Sequence, residues 1–142
     1  MDNLSLVKKH QNLIWDEKDS SAIDDFFCKE TLVYSPLKQI TGTSELKKVI
    51  ESWFVGFPQL KLHWDDYICE GDKVVVRWHA EGRHEGNFLG FAPTHKNINY
   101  SGVTIYQLAK EKVVKYWAFV DMAHIEAQLK KRDRKSSLPR LE

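Results

Sequence analysis

The chain has few of the groups that usually announce a function. It holds only two cysteines, Cys28 and Cys69, with no Cys-x-x-Cys or other ligand spacing. That argues against a zinc knuckle or a disulfide framework and fits two reduced thiols in a cytosolic protein, so a cytoplasmic location is expected. No run approaches the roughly 18 apolar residues of a membrane-crossing helix. The stretch from Leu4 to Ile14 is broken by Lys8, Lys9, His10, Gln11 and Asn12, so no secretory leader is expected. Charge of one sign is also missing. Twenty-one basic and 20 acidic residues leave a net +1, which offers no general field for nucleic acid. The sequence has no His-x-x-x-His, no Gly-x-Gly-x-x-Gly, no P-loop, no internal repeat and no low-complexity segment. No metal or cofactor is expected.

What is present is a chain of 142 residues with 42% hydrophobic content and five tryptophans. That length suits one domain, which buries about two thirds of its unfolded surface. Residues 1–130 read as the domain. From Lys130 to Glu142 six basic and two acidic residues form a basic end, so 131–142 reads as a C-terminal tail.

Apolar periodicity predicts a first helix over about Asn3 to Glu17 and a short second one over Ala22 to Cys28, with Ser21 and Asp24 as a capping pair. Thr31 to Tyr34 reads as a short strand. Leu46, Val49, Ile50, Trp53 and Phe54 make the stripe of a third helix, ended by Gly56-Phe57-Pro58. Four longer strands follow over about Lys61 to Cys69, Lys73 to Glu81, Asn97 to Ala109 and Lys112 to Asp121. Short links between them argue antiparallel pairing. A last helix spans about Met122 to Lys130. Helices first and a strand meander afterwards give an α+β layout, with about three helices on one face of a curved antiparallel sheet of four long strands.

The densest stretch is Glu70 to Thr94, EGDKVVVRWHAEGRHEGNFLGFAPT. Glu70-Gly71-Asp72 is a tight-turn signal, Val74 to Ala80 is strand-like, and Phe88-Leu89-Gly90-Phe91 is an apolar loop punctuated by glycine and proline. Loops are usually polar, so this one reads as a cover over a cavity. Glu70, Gly71, Asp72, Val74, Val76, Arg77, Trp78, Gly82, His84, Gly86, Phe88, Gly90, Pro93 and Thr94 resemble the pattern of the SnoaL-like polyketide cyclases, a branch of the NTF2-like superfamily. Phe57-Pro58 before this stretch, and Tyr116-Trp117 with Asp121 after it, match in the right order. The resemblance covers about Leu4 to Leu129. It implies an NTF2-like cone with a pocket between helices and sheet, a small-molecule ligand, and a homodimer through the sheet.

His84 follows Gly82 in the Gly-x-His element. It reads either as a loop histidine bonded to backbone or as a pocket residue that polarises a substrate oxygen or moves a proton. His79 shares strand parity with Val75, Arg77 and Glu81, opposite Val74, Val76, Trp78 and Ala80. Its mixed face is solvent, pocket wall or subunit interface. Asp121 sits where the last strand meets the last helix, as an N-cap or as a general base at the pocket mouth. Tyr34 either orients a ligand or packs at a sheet edge. Phe88 and Phe91 in the apolar loop, with Trp117 and Thr104, complete the candidate substrate-binding set.

The resemblance also marks a departure. Characterised relatives present a carboxylate one residue after the Trp117 position and a histidine on the preceding strand. These positions align here with Ala118 and Thr104, neither of which titrates near neutral pH. The leading expectation is a pocket protein acting on or binding a small, apolar, oxygenated molecule. If active, it is an isomerase, cyclase or hydrolase using metal-free acid/base chemistry, with His84 and Asp121 catalytic. The alternative is a non-catalytic, ligand-binding or accessory dimer. A weaker third reading has the basic tail dock an acidic partner.

Overall fold

A computed structural model describes residues 1–131. Apart from Lys131, the tail expected over 131–142 lies outside the described residues. Helix α1 (Asn3–Gln11) begins at Asp2, whose carboxylate accepts the Ser5 N–H at 2.8 Å. The sequence predicts one helix to Glu17. Instead the chain passes into a π-helical turn over Asn12–Asp16, closed by the Glu17 N–H on the Asn12 carbonyl at 2.8 Å. The wider turn leaves the neighbours Ile14 and Trp15 both buried.

Helix α2 (Ile23–Phe26) is a single turn. The cap before it comes from Asp19, which accepts the Ser21 N–H at 3.1 Å, and not from Ser21 itself. Strand β1 (Phe27–Tyr34) starts earlier than the apolar pattern suggests. Thr31 decides this: its hydroxyl donates to the Val113 carbonyl at 2.6 Å and accepts the Cys28 N–H at 2.9 Å, tying a bulged segment to a distant strand. Strand β2 (Gln39–Thr41) is too short for a periodic signal and buries only Ile40. Helix α3 (Thr43–Gly56) buries Leu46, Val49, Ile50 and Trp53 of the expected stripe, while Phe54 is half-buried at its edge.

The long strands are β3 (Lys61–Glu70), β4 (Lys73–Arg83), β5 (Asn97–Ala109) and β6 (Lys112–Val120), followed by helix α4 (Met122–Lys130). The curved, unclosed sheet runs β2-β1-β6-β5-β4-β3. The meander β3 to β6 is antiparallel as expected, but β1 lies parallel to β6. Only a long crossover can bring two parallel strands together, and here α3 and the four strands β2 to β5 supply it.

Period-two alternation divides the sheet. On β4, Val74, Val76, Trp78 and Ala80 point to the helices and are buried. Their register partners on β5 are Tyr106, Thr104, Gly102 and Tyr100. Large side chains such as Ile14, Phe27, Phe57 and Tyr106 are fully enclosed between helices and sheet. Each such burial stabilises the fold by about 1.5–3 kcal/mol. The opposite face carries charged residues beside apolar ones, with Ile68 64% and Phe119 57% exposed.

Candidate functional site

Between α3, the π-helical turn and the inner face of the sheet lies a cavity of about 40 Å³. Trp53 and the aliphatic stripe of α3 form one wall, and Trp15 of the turn forms a second. The sheet supplies Trp64, Trp78, Tyr100, Thr104, Tyr106, Tyr116 and Ala118. Alternation places these side chains: Trp78, Tyr100, Thr104 and Tyr106 share one face because β4 and β5 pair in unbroken register.

Trp78 lies across Gly102, where a Cβ would stand 2.5 Å from its ring. The missing side chain lets the indole reach along β5 and donate its Nε1–H to Thr104 Oγ1 at 2.9 Å. Farther in, Tyr67 donates to Gln11 Oε1 at 2.6 Å, and Gln11 Nε2 donates to the Tyr106 hydroxyl at 3.4 Å. Burial raises the pKa values of Tyr100, Tyr106 and Tyr116 far above the ordinary tyrosine value, so all three stay protonated. The wall therefore offers hydroxyl and indole groups on an apolar background. None of its side chains carries a charge.

Of the residues singled out from sequence, Thr104 faces this cavity, beside its register partner Ala118. The others lie elsewhere. His84 is completely buried in the loop after β4. Its Nδ1 accepts the Thr94 N–H at 3.1 Å and lies 2.9 Å from Thr94 Oγ1, which leaves the ring proton on Nε2. Its own N–H donates to the Lys96 carbonyl at 2.9 Å. Burial lowers the imidazole pKa, and the Gly86 carbonyl only partly opposes this. A second proton would have to displace the Thr94 N–H, so this histidine clasps two loop segments together.

Phe88 and Phe91 close a two-residue turn around Leu89-Gly90 with reciprocal backbone hydrogen bonds of 3.1 and 2.9 Å. Phe88 packs on Trp53 and Phe57, with centroids 4.8 and 5.2 Å away. The apolar loop thus fills the core behind Trp53 and does not roof the cavity. Asp121 caps α4, accepting the His124 N–H at 3.1 Å.

Tyr34 and Trp117 are register partners on the outer face, stacked with centroids 5.7 Å apart. Their parity opposes that of Val33 and Tyr116, which point inward, so neither can reach the cavity. His79 also faces outward, 2.8 Å from Asp65 Oδ2, and stacks on His63 at 4.5 Å. His63 in turn lies 3.0 Å from Glu81 Oε2. Among the described residues, no group of three or more His, Cys, Asp or Glu side chains is placed to hold a metal ion, and no helix is long and apolar enough to cross a membrane.

Trp15, Trp53, Trp64 and Trp78 line the cavity without being among the candidate binding residues of the sequence. Strand parity with Thr104 was the signal that could have put Trp78 and Tyr100 in the wall. Nothing local marks Trp15 and Trp64 as neighbours.

Comparison with known proteins agrees with this fold. The family model of SnoaL-like polyketide cyclases matches residues 5–129. A protein from Jannaschia sp. CCS1, described as SnoaL-like, is 22% identical over 92% of this chain and 93% of its own, with a TM-score of 0.86. TsrD from Streptomyces laurentii is 23% identical over 92% and 98% of the two chains, with a TM-score of 0.80. A SnoaL-like polyketide cyclase from Agrobacterium tumefaciens is 14% identical over 91% and 99%, with a TM-score of 0.75. At these identities the likeness is one of fold. No curated protein sequence matches significantly. The chain belongs to the SnoaL-like polyketide cyclase family.

Proposed function

We propose that this member of the SnoaL-like polyketide cyclases binds a small, largely apolar, oxygenated molecule in the central cavity. The observation that carries the reading is the wall itself: four indoles, three buried tyrosines and Thr104 on an aliphatic background. Such a lining rewards apolar surface and leaves a few polar groups to orient a ligand oxygen. A cavity of about 40 Å³ has room for about three waters. A ring-sized ligand therefore enters by displacing the aromatic walls outward.

The same wall favours binding over proton transfer. Proton abstraction beside a carbonyl needs a base within hydrogen-bond reach. Ala118 and Thr104 stand side by side where relatives are expected to carry a carboxylate and a histidine. The outer face supports a homodimer as part of this reading, since Phe119 exposes apolar surface two residues along β6 from the Tyr34–Trp117 stack and Ile68 exposes more on β3.

Native mass spectrometry of freshly purified protein, compared with the denatured mass, tests both parts. The expected species is a dimer, carrying a few hundred daltons of extra mass where ligand is retained. Ala118→Trp, which fills the cavity, should lose that mass and keep the dimer. Retention of the same mass by Ala118→Trp would overturn the cavity as the binding place. A clean monomer would remove the dimer.

A further inference from the structure

We propose that Tyr116 is the specificity-determining donor of the cavity, its hydroxyl hydrogen-bonding a ligand carbonyl oxygen that sits over Ala118. This rests on the cavity-binding reading above and makes the ligand an uncharged carbonyl compound.

The Tyr116 hydroxyl is buried, unpaired and open to the cavity. Among the described residues, the buried side-chain atoms that lack a partner and are sealed from all open space are nitrogens of His10, Trp64 and His84. The Tyr116 oxygen also lacks a partner among the described residues, but it is not sealed, so it touches open space. Tyr116 is only 6% exposed and lines the cavity. The open space it touches is therefore the cavity. Its ring is fixed from behind by Phe27 and Tyr106, which meet it edge-on with centroids 5.6 and 5.2 Å away. Burial keeps the phenol protonated, so the oxygen has a hydrogen to give.

Strand pairing builds a niche beside this hydroxyl. Ala118 follows Tyr116 by two residues on β6 and shares its face, and Thr104 stands directly opposite Ala118 on β5. Tyr116 and Thr104 are thus diagonal neighbours, about 7–8 Å apart at the backbone, which a long aromatic side chain can span. Between them the methyl of Ala118 leaves room where relatives are expected to carry a carboxylate. Thr104 Oγ1 accepts the Trp78 indole N–H at 2.9 Å from the β4 side. That turns its own hydrogen to the β6 side, toward the niche. Thr104 also partly opposes the effect of burial on the Tyr116 phenol, as a neighbouring donor does.

A carbonyl oxygen matches this niche. It is terminal, so it can enter a space the size of a missing side chain, and its lone pairs accept donors from two sides. An ether oxygen carries a substituent on each side and cannot enter as far. A carboxylate would bring charge to a wall that has none to balance it. Tyr100 also lines the cavity, but it lies four residues before Thr104, beyond Gly102, with Trp53 stacked on it at 5.5 Å. It stands away from the niche and serves as the control.

The experiment is an NMR titration of protein ¹⁵N-labelled at tryptophan, following the indole N–H signals, with cyclohexanone and the like-shaped hydrocarbon methylenecyclohexane as probes. Both are expected to move indole signals of the wall. Tyr116→Phe should weaken cyclohexanone binding about tenfold and leave methylenecyclohexane within about twofold. Tyr100→Phe should leave both within about twofold. The Tyr116 hydroxyl has no partner to lose, so its removal should not lower stability. Infrared spectroscopy needs no variant: the carbonyl stretch of bound cyclohexanone should lie below its value in hexane. Cyclohexanone affinity unchanged by Tyr116→Phe, an equal loss for both probes, an equal loss on Tyr100→Phe, or a stretch at the hexane value each overturns Tyr116 as the donor and leaves the cavity reading standing. If neither probe moves any indole signal, the cavity reading falls and the donor with it.

Discussion

Trp78 on β4 donates its indole N–H to Thr104 on β5 at 2.9 Å, across the diagonal left open by Gly102. Thr104 stands where relatives are expected to place a histidine, and here its hydroxyl anchors an aromatic wall. Thr104→Val keeps the shape and removes the acceptor. It should cost about 1–3 kcal/mol by leaving a buried indole N–H unpaired. Urea unfolding should show a lower midpoint at unchanged slope, and Thr104→Ser should recover most of the loss.

Gly102→Ala tests the close approach from the other side. The added methyl would meet the Trp78 ring at 2.5 Å and also the Phe119 carbonyl. The expected cost is about 1–3 kcal/mol from overpacking. A change in near-ultraviolet circular dichroism should accompany it as the indole tilts; an unchanged spectrum with unchanged stability would show that Trp78 does not depend on the gap.

His10 predicts the acid limb of stability. It lies within an aromatic cage of Phe26, Phe27 and Tyr106, and neither ring nitrogen has a partner. Burial lowers its pKa from 6.5 to about 3. The folded state keeps the ring neutral while the unfolded chain takes up a proton below 6.5. His10's contribution is therefore complete above pH 6.5 and is lost as pH falls toward 3. Within that window the loss runs at about 1.4 kcal/mol per pH unit. His10→Leu should flatten this limb in urea titrations at pH 7, 5 and 4. An equally steep limb in the variant would assign the acid sensitivity to other groups.

Leu89 should be improvable. It adopts a left-handed backbone with φ of 51°, next to Gly90 at 82°, at the tip of the Phe88–Phe91 turn. That conformation costs an L-residue about 1–2 kcal/mol, and asparagine tolerates it better. Leu89→Asn should raise stability by about 0.5–1 kcal/mol, with the cavity untouched. A loss of stability would mean that the exposed leucine packs more than its 46% exposure suggests.

Much of the fold was legible because periodicity is local. The α3 stripe and the inward row Val74, Val76, Trp78 and Ala80 follow from spacing alone; the row is buried as expected, and so is the stripe except for the half-buried Phe54. The same parity put His79 on the mixed face. Strand β2 left no trace because three residues cannot show alternation, and the early start of β1 rests on a Thr31 hydroxyl that bonds residue 113. The site was less legible. His84 and the two loop phenylalanines stood out in the sequence because they hold a loop together, and that demand resembles a functional one.

The amino-acid order by itself determined the α+β layout, the helices and long strands, and which side of β4 turns inward. Each of these depends on residues only a few positions apart. Tertiary structure alone decided the parallel seating of β1 on β6, the stack of Tyr34 on Trp117, the clasp of His84 on Thr94 and the meeting of Trp15 with Trp64. Those pairs are set by register, bulges and one widened helical turn. A shift of one residue in a strand reverses every side chain it carries, so which groups share the cavity is settled only when the strands have paired.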